Sequence, residues 1–191
     1  MATKAKADAL ARIEKQIATL KERRTKLMHK RPRERVKDYV LKRAGAGSVK
    51  LSELFGDKQD LLVIHNMGAG CPFCTLWADG FEGYRPHLEN RAAFALVSND
   101  DPKTAAKFTK GRGWKCTVLS GKDSAFTKDM GYYSKNHGSN PGVSAFRKDP
   151  DGKIYRVAHT FFGPGDDFCA VWPFLDLLQD GPAGWVPQYK Y

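Results

Sequence analysis

The spacing of hydrophobic residues changes along the chain and divides it into two regions. Near the N-terminus, apolar residues recur three or four positions apart, which is typical of one face of an amphipathic helix: Leu10, Ile13, Ile17, Leu20 and Leu27. Pro32 cannot continue a helix, so we predict that this helix ends near it. Further along, short apolar runs alternate with helical segments. We therefore predict a helical arm over residues 1–48 and an α/β domain over residues 49–191.

Three short runs rich in apolar residues predict buried strands at Leu61–Ile64, Phe94–Val97 and Trp114–Leu119. A long helical segment follows the first run. A second helix over 102–110 follows the next run, with Asp100 or Asp101 as its N-cap. This β-α-β-α-β order predicts a largely parallel sheet.

The sequence of the C-terminal third predicts a β-hairpin followed by a helix that closes the domain. Strands at Val143–Arg147 and Ile154–Phe161 flank the turn sequence Asp149-Pro-Asp-Gly. An amphipathic helix is predicted from Asp166 to Leu178. The predicted fold class is α/β, with a central mixed sheet flanked by helices and an N-terminal helical arm.

The candidate chemistry lies between the first strand and the helix that follows it. Gly68 and Gly70 allow the backbone to turn, and Cys71-Pro72-Phe73-Cys74 follows at the predicted helix start. Unpaired N–H groups and the helix dipole favour a thiolate there, lowering the cysteine pKa from about 8.5 toward about 3.5–7.5. We expect Cys71 to attack disulfides and Cys74 to resolve the intermediate. We also expect Pro72 and Phe73 to tune the potential, and Trp77 to shape the pocket.

Two other interpretations of the CxxC motif remain open. Half of a zinc site is one, although Cys116 and Cys169 are isolated and the five histidines are scattered. A dithiol that has lost its turnover is the other. We favour the redox dithiol, with no metal and no cofactor, and we interpret Cys116 as a buried, inert thiol.

The basic charge is confined to the N-terminal region. Residues 1–50 hold 16 Lys and Arg against 5 Asp and Glu, which accounts for the whole net charge of +11. We expect the apolar stripe of the arm to pack against the domain or to form a homodimer with a second copy. A basic arm could instead bind nucleic acid or an anionic membrane, but no base-reading motif or aromatic interleaving supports this. We therefore expect neither as a partner.

The chain lacks the marks of export or membrane insertion. It contains no apolar run of transmembrane length, and its first residues lack the apolar segment of a signal peptide. Four cysteines are too few for a disulfide scaffold in a chain of 191 residues. We therefore expect a cytoplasmic protein.

With its CxxC motif after the first core strand and a proline just before a hairpin, the sequence resembles the thioredoxin superfamily. The resemblance implies that Pro141 is cis and lies against the dithiol, where it shapes the substrate groove. Because proline lacks an N–H, we expect the neighbouring backbone groups of Asn140 and Gly142 to pair with a bound chain.

A closer resemblance is to a bacterial family of thioredoxin-like proteins of unknown function, described as predicted dithiol–disulfide oxidoreductases related to the peroxiredoxins. It covers most of the chain and rests on these segments: Lys37-Asp-Tyr-Val, Leu51-Ser-Glu-Leu-Phe, Gly70-Cys-Pro-Phe-Cys, Trp77-Ala-Asp-Gly-Phe, Pro86-His-Leu-Glu-Asn-Arg, Phe94-Ala-Leu-Val-Ser, Gly113-Trp, Pro141-Gly-Val-Ser-Ala-Phe and Leu175-Asp-Leu. The resemblance implies a thiol–disulfide oxidoreductase that acts on a disulfide-containing protein or a small thiol compound.

The sequence departs from the true peroxiredoxins at the peroxidatic motif. Their pattern places Thr three residues and Pro seven residues before the cysteine, where this chain has Gly68 and Ile64. Without that Thr hydroxyl to position peroxide, the sequence favours disulfide exchange over efficient peroxide reduction. Two alternatives to the oxidoreductase are kept. One is a peroxiredoxin-like peroxide reductase, and the other is a non-enzymatic binding protein that acts through the basic arm.

Overall fold

The computed structural model describes the backbone from Ala2 to Tyr191 and the side chains of residues 8–191. The chain separates into two compact units, one that ends at Arg33 and one that begins at Glu34.

The first unit is one long helix, α1, Ala2–His29, as the apolar spacing predicts. Lys26 and His29 lie in its last turn, where basic side chains interact favourably with the negative end of the helix dipole. The five stripe residues are 47–61% exposed, so the apolar face of α1 is available for contact.

The second unit is built on an eight-stranded mixed sheet. Its strands are β1 Glu34–Val36, β2 Val40–Arg43, β3 Ser48–Lys50, β4 Asp60–His65, β5 Ala93–Ser98, β6 Thr117–Ser120, β9 Gly142–Lys148 and β10 Ile154–Phe161. Two further strands, β7 Tyr133–Ser134 and β8 Gly138–Ser139, form a separate pair. The order in the sheet is β1-β10-β9-β4-β5-β6-β2-β3. Strands β4, β5 and β6 are parallel, and the predicted hairpin β9–β10 pairs antiparallel with β4 through β9.

The boundary predicted at residue 48 is wrong, because residues 34–48 belong to the sheet unit. Strand β1 pairs with β10, and β2 lies between β3 and β6. These strands are short and mostly exposed, and their pairing partners are remote in sequence, for example Arg35 with Tyr155. Local hydrophobic spacing carries no signal for such pairings.

Helices cover both faces of the sheet. They are α2 Pro72–Arg91, α3 Pro102–Arg112, α4 Phe126–Asp129 and α5 Val171–Asp176, with a 3-10 turn at Leu51–Phe55. Along β4, Leu61 and Val63 pack into the hydrophobic cluster on one face, while Leu62 and Ile64 belong to the cluster on the other face. The second cluster contains side chains of α2, α3 and α5. The alternation follows from the two-residue period of a strand.

Two elements differ from the prediction by more than two residues at one end. The third strand begins at Thr117 rather than Trp114. The closing helix is only α5, because Asp166 organises a turn instead of a helix. Its carboxylate accepts the N–H groups of Gly163 at 3.0 Å and Phe168 at 2.8 Å.

The predicted site lies at one end of the sheet. The parallel strands β4, β5 and β6 end there at His65, Ser98 and Ser120. Strand β9 runs antiparallel to β4, with Gly142 opposite His65, so Pro141 is at the same end. In open α/β sheets, ligands bind beyond the carboxyl ends of the strands. Within the described part of the chain, no helix is both long and apolar enough to cross a membrane.

Candidate active site

Cys71 is the N-cap residue of α2, as the motif predicts. Its extended backbone, with φ −112° and ψ 104°, lets its sulfur accept the N–H of Cys74. That Sγ–N distance is 3.1 Å. The backbone N–H and the hydroxyl of Thr75 both donate to the Cys71 carbonyl at 3.0 Å. The half-buried sulfur is thereby fixed at the positive end of the helix.

Cys74 lies beneath Cys71 and is only 2% exposed. Its thiol donates to the Cys71 sulfur, which is the main reason that the pKa of Cys71 falls from 9.0 to about 6, and backbone N–H groups add to the effect. The same hydrogen bond, together with burial, raises the pKa of Cys74 well above its ordinary value. The two thiols are both free. The pair therefore consists of a thiolate at neutral pH and a protonated donor.

The loop before Cys71 is held by side chains from elsewhere in the fold. Asn66 accepts the N–H of Gly68 at 2.7 Å and donates to the Cys74 carbonyl at 3.2 Å. The N–H of Met67 points at the Cys74 sulfur, 3.5 Å away. The Ala69 N–H donates to Asp100 at 2.9 Å. The loop and both sulfurs thus form one hydrogen-bonded unit.

Only one of the two glycines is required by the conformation of this loop. Gly68 has φ +109°, which side chains rarely adopt. Gly70 does not have a positive φ, and a Cβ there would meet no atom within 4 Å. The chain turns at residues 69–70 as predicted, but only Gly68 has a conformation that requires glycine.

The other three residues predicted to shape the site follow Cys71 in α2. Pro72 occupies the first turn of α2, where its missing N–H costs nothing. Phe73 is half-buried, and its ring centroid lies 6.4 Å from that of Trp77 and 6.2 Å from that of Trp172. Trp77 is only 3% exposed and its indole N–H donates to Asp166. Trp77 therefore supports Phe73 from within the core and has little surface to offer a substrate.

Pro141 departs from the expectation that the resemblance raised. The described backbone contains no cis peptide bond, so the Asn140–Pro141 bond is trans. Asn140 and Pro141 connect β8 to β9, and trans is the ordinary form of an X–Pro bond. The Asn140 N–H is occupied by the Tyr132 carbonyl at 2.8 Å, and Gly142 pairs in the ladder on both sides. The N–H of Asn140 and the ladder position of Gly142 are therefore already occupied in this conformation.

The other two cysteines are not activated. Burial, followed by a hydrogen bond with Glu82, raises the pKa of Cys116, and burial raises that of Cys169. Both are buried in the cluster that contains α2. Among the side chains that the structure describes, no group of three or more His, Cys, Asp or Glu could hold a metal ion.

Sequence reasoning missed four residues that contact this site. The sequence suggests Asp100 only as a possible helix cap. Asp101 is the N-cap of α3, and Asp100 instead accepts the Ala69 N–H in the loop before Cys71. Asn66 and Met67 act through local loop geometry, which an Asx-type turn signal at Asn66 could have indicated. Tyr189, whose hydroxyl donates to the Ala69 carbonyl at 2.9 Å, lies 120 residues away. No local pattern could have found it.

A parallel β-α-β-α-β core, an antiparallel hairpin beside its first strand and a cysteine at the helix start place the chain in the thioredoxin-fold class. Solved structures agree in fold. The chain is similar to a peroxiredoxin Q variant of Xanthomonas campestris, with 19% identity, a TM-score of 0.53 and coverage of 64% of this chain and 78% of that one. The chain is 23% identical to the peroxidoxin BcpB of Mycobacterium tuberculosis, with a TM-score of 0.54 and coverage of 64% of this chain and 80% of that one. It is 17% identical to a PrxQ variant of Xylella fastidiosa, with a TM-score of 0.58 and coverage of 70% of this chain and 86% of that one.

The chain belongs to the family described as "Bacterial protein of unknown function (DUF899)", which matches residues 2–186. No curated protein matches the chain.

Proposed function

We propose that the protein is a thiol–disulfide oxidoreductase of the thioredoxin-like class, with Cys71 as nucleophile and Cys74 as resolving thiol. The observation that carries the proposal is the asymmetry of the pair. One sulfur is half-exposed with a pKa lowered to about 6, and the other is a buried, protonated donor. The substrate would be a disulfide-containing protein or a small disulfide in the cytoplasm.

In the first step, the Cys71 thiolate attacks one sulfur of a substrate disulfide. A bond forms between Cys71 and that sulfur, the substrate S–S bond breaks, and the second substrate sulfur leaves as a thiolate. The half-exposed position of Cys71 at the helix start suits this attack. A sulfur that is already ionised at neutral pH needs no base to activate it.

In the second step, Cys74 must lose its proton. The largest influence that raises its pKa is the hydrogen bond to the charged Cys71 sulfur. That charge is gone in the mixed disulfide, so the pKa of Cys74 falls once the substrate is attached. The N–H of Met67, which points at the Cys74 sulfur, favours the thiolate that forms. Cys74 then attacks the Cys71 sulfur, the Cys71–Cys74 bond forms and the bond from Cys71 to the substrate breaks. The substrate sulfur leaves and the proton from Cys74 passes to a released thiolate or to solvent, so two electrons pass from the dithiol to the substrate.

Single-cysteine variants test this proposal with a dye-labelled small disulfide. Cys71→Ser should abolish reaction at the site, and Cys74→Ser should accumulate a mixed disulfide that mass spectrometry detects. Cys169→Ser is the matched control, because that buried thiol has a raised pKa and should leave turnover unchanged. Free turnover by the Cys74→Ser protein would contradict the assignment.

The fold favours peroxide reduction as a second candidate, because the similar solved structures are peroxiredoxins. The Cys71 thiolate would attack a peroxide oxygen and become a sulfenic acid, with release of water or an alcohol. Cys74 would then condense with it to give the disulfide and a second water. Comparison of the rates of Cys71 oxidation by hydrogen peroxide and by a disulfide at equal concentration separates the two. Faster reaction with peroxide would favour the second candidate.

A further inference from the structure

The C-terminal segment reaches the loop that carries the dithiol. Tyr189 is 38% exposed, and its hydroxyl donates to the Ala69 carbonyl at 2.9 Å. Burial, followed by the nearby charge of the Cys71 thiolate, raises the pKa of this tyrosine. Its hydroxyl therefore remains a neutral donor beside the thiolate.

Tyr189 is itself anchored to the body of the domain. The Arg112 guanidinium donates to the Tyr189 carbonyl at 2.7 Å and pairs with Asp79 of α2. The Phe108 ring meets the Tyr189 ring edge-on at a centroid distance of 6.1 Å. Asp79 also accepts the indole N–H of Trp114 at 2.7 Å. The tyrosine is thus placed by side chains on both α2 and α3.

Ala69 lies between two glycines, so the loop has little conformational preference of its own. Two side chains hold its peptide groups from outside. Asp100 accepts from its N–H, and Tyr189 donates to its carbonyl. At one end of this loop, the Met67 N–H faces the Cys74 sulfur, and at the other end the Cys71 N–H donates to the Gly68 carbonyl at 3.1 Å. A displacement of Ala69 would therefore alter the surroundings of both sulfurs.

We propose that Tyr189 is a positioning residue of the dithiol, which acts through the Ala69 carbonyl to keep the Cys74 thiol in place as the donor to Cys71. The inference rests on the proposed function of the dithiol. It adds that the C-terminal segment, and not only the CxxC helix, sets the reactivity of the nucleophile.

The test is the pH profile of Cys71 alkylation by iodoacetamide in the reduced protein, with Tyr189→Phe compared with the wild type. The Phe ring keeps the contact with Phe108 but lacks the donor. We expect the midpoint to move to higher pH by about half a unit. The shift is smaller than that for loss of a direct hydrogen bond to the sulfur, because Tyr189 acts through the Ala69 carbonyl. Tyr191→Phe is the matched control, because that hydroxyl accepts the Gln188 N–H within the same segment. Its midpoint should not move.

A Tyr189→Phe midpoint equal to that of the wild type would overturn the proposal. An equal shift in both variants would also overturn it, because the effect would then belong to folding of the whole segment. Thermal unfolding of both variants should match the wild type, which separates positioning from stability. Alkylation involves no turnover. A dithiol that fails to exchange disulfides would therefore contradict the proposed function but would leave the comparison of alkylation midpoints valid.

Discussion

The Asp100 carboxylate occupies the space that a side chain on Gly68 would need. A Cβ built on Gly68 would lie 2.6 Å from one carboxylate oxygen of Asp100 and 2.9 Å from the other. The same carboxylate accepts the Ala69 N–H and the Ser98 hydroxyl. The end of β5 is thereby bonded to the loop that presents Cys71.

We expect Gly68→Ala to destabilise the protein and to slow reaction at Cys71. The substitution strains a backbone with φ +109° and displaces Asp100 from Ala69, at a cost of about 1–3 kcal/mol. The measurement is the free energy of unfolding in urea, together with the alkylation rate of Cys71. Gly70→Ala is the matched control, because a Cβ there meets nothing within 4 Å. Equal stability of the two variants would contradict this account of the loop.

The Cys74 thiol should account for much of the acidity of Cys71. In the wild type, thiolate absorbance and alkylation should rise with pH through a midpoint of about 6. Cys74→Ala removes the donor, so the midpoint should move toward 9.0, the ordinary value. Cys74→Ser keeps a hydroxyl donor and should shift less. If the Ala variant kept the wild-type midpoint, the helix start alone would be lowering the pKa.

His65 should make the fold sensitive to acid. It is 1% exposed, stacks on Tyr132 at a centroid distance of 3.7 Å and hydrogen-bonds through Nε2 to the Ser144 hydroxyl at 3.0 Å. Burial, with smaller contributions from the charges of Arg156 and His159, lowers its pKa from 6.5 to about 3. The unfolded chain therefore binds a proton between these pH values that the native protein does not bind.

The contribution of His65 to stability should be complete above pH 6.5 and decline as the pH falls toward 3. Integrated over that range, the loss is on the order of 4–5 kcal/mol. Urea unfolding at a series of pH values measures the slope. His65→Gln should flatten it, whereas the exposed His87→Gln should leave it unchanged. A slope that His65→Gln does not alter would show that other groups drive acid unfolding.

The apolar stripe of α1 should bring two copies of the chain together. Its residues are about half exposed, and burial against a second stripe is the simplest way to remove them from water. Light scattering should give a mass of twice 21.3 kDa for the wild type. Ile13→Asp together with Ile17→Asp should give the monomer mass, and Gln16→Asp should not. A wild-type mass of a single chain would contradict the prediction.

Local patterns were sufficient for the elements that depend on near neighbours. The 3.6-residue spacing predicted α1, the apolar runs predicted β4 and β5, and Asp149-Pro-Asp-Gly predicted the hairpin of β9 and β10. Helix-start chemistry also predicted the N-cap position of Cys71. In each case the decisive interactions join residues close in sequence.

Local sequence patterns were therefore enough to predict the fold class, the order of most elements and a CxxC motif at the start of α2. They did not predict that β1 and β2 belong to the sheet, that Trp77 lies in the core, or that Asp100 and Tyr189 hold Ala69. These features join residues that are far apart along the chain. Strand pairing at the edge of the sheet and the hydrogen bond between residues 69 and 189 depend on how remote segments pack together. The local sequence around each residue does not predict such contacts.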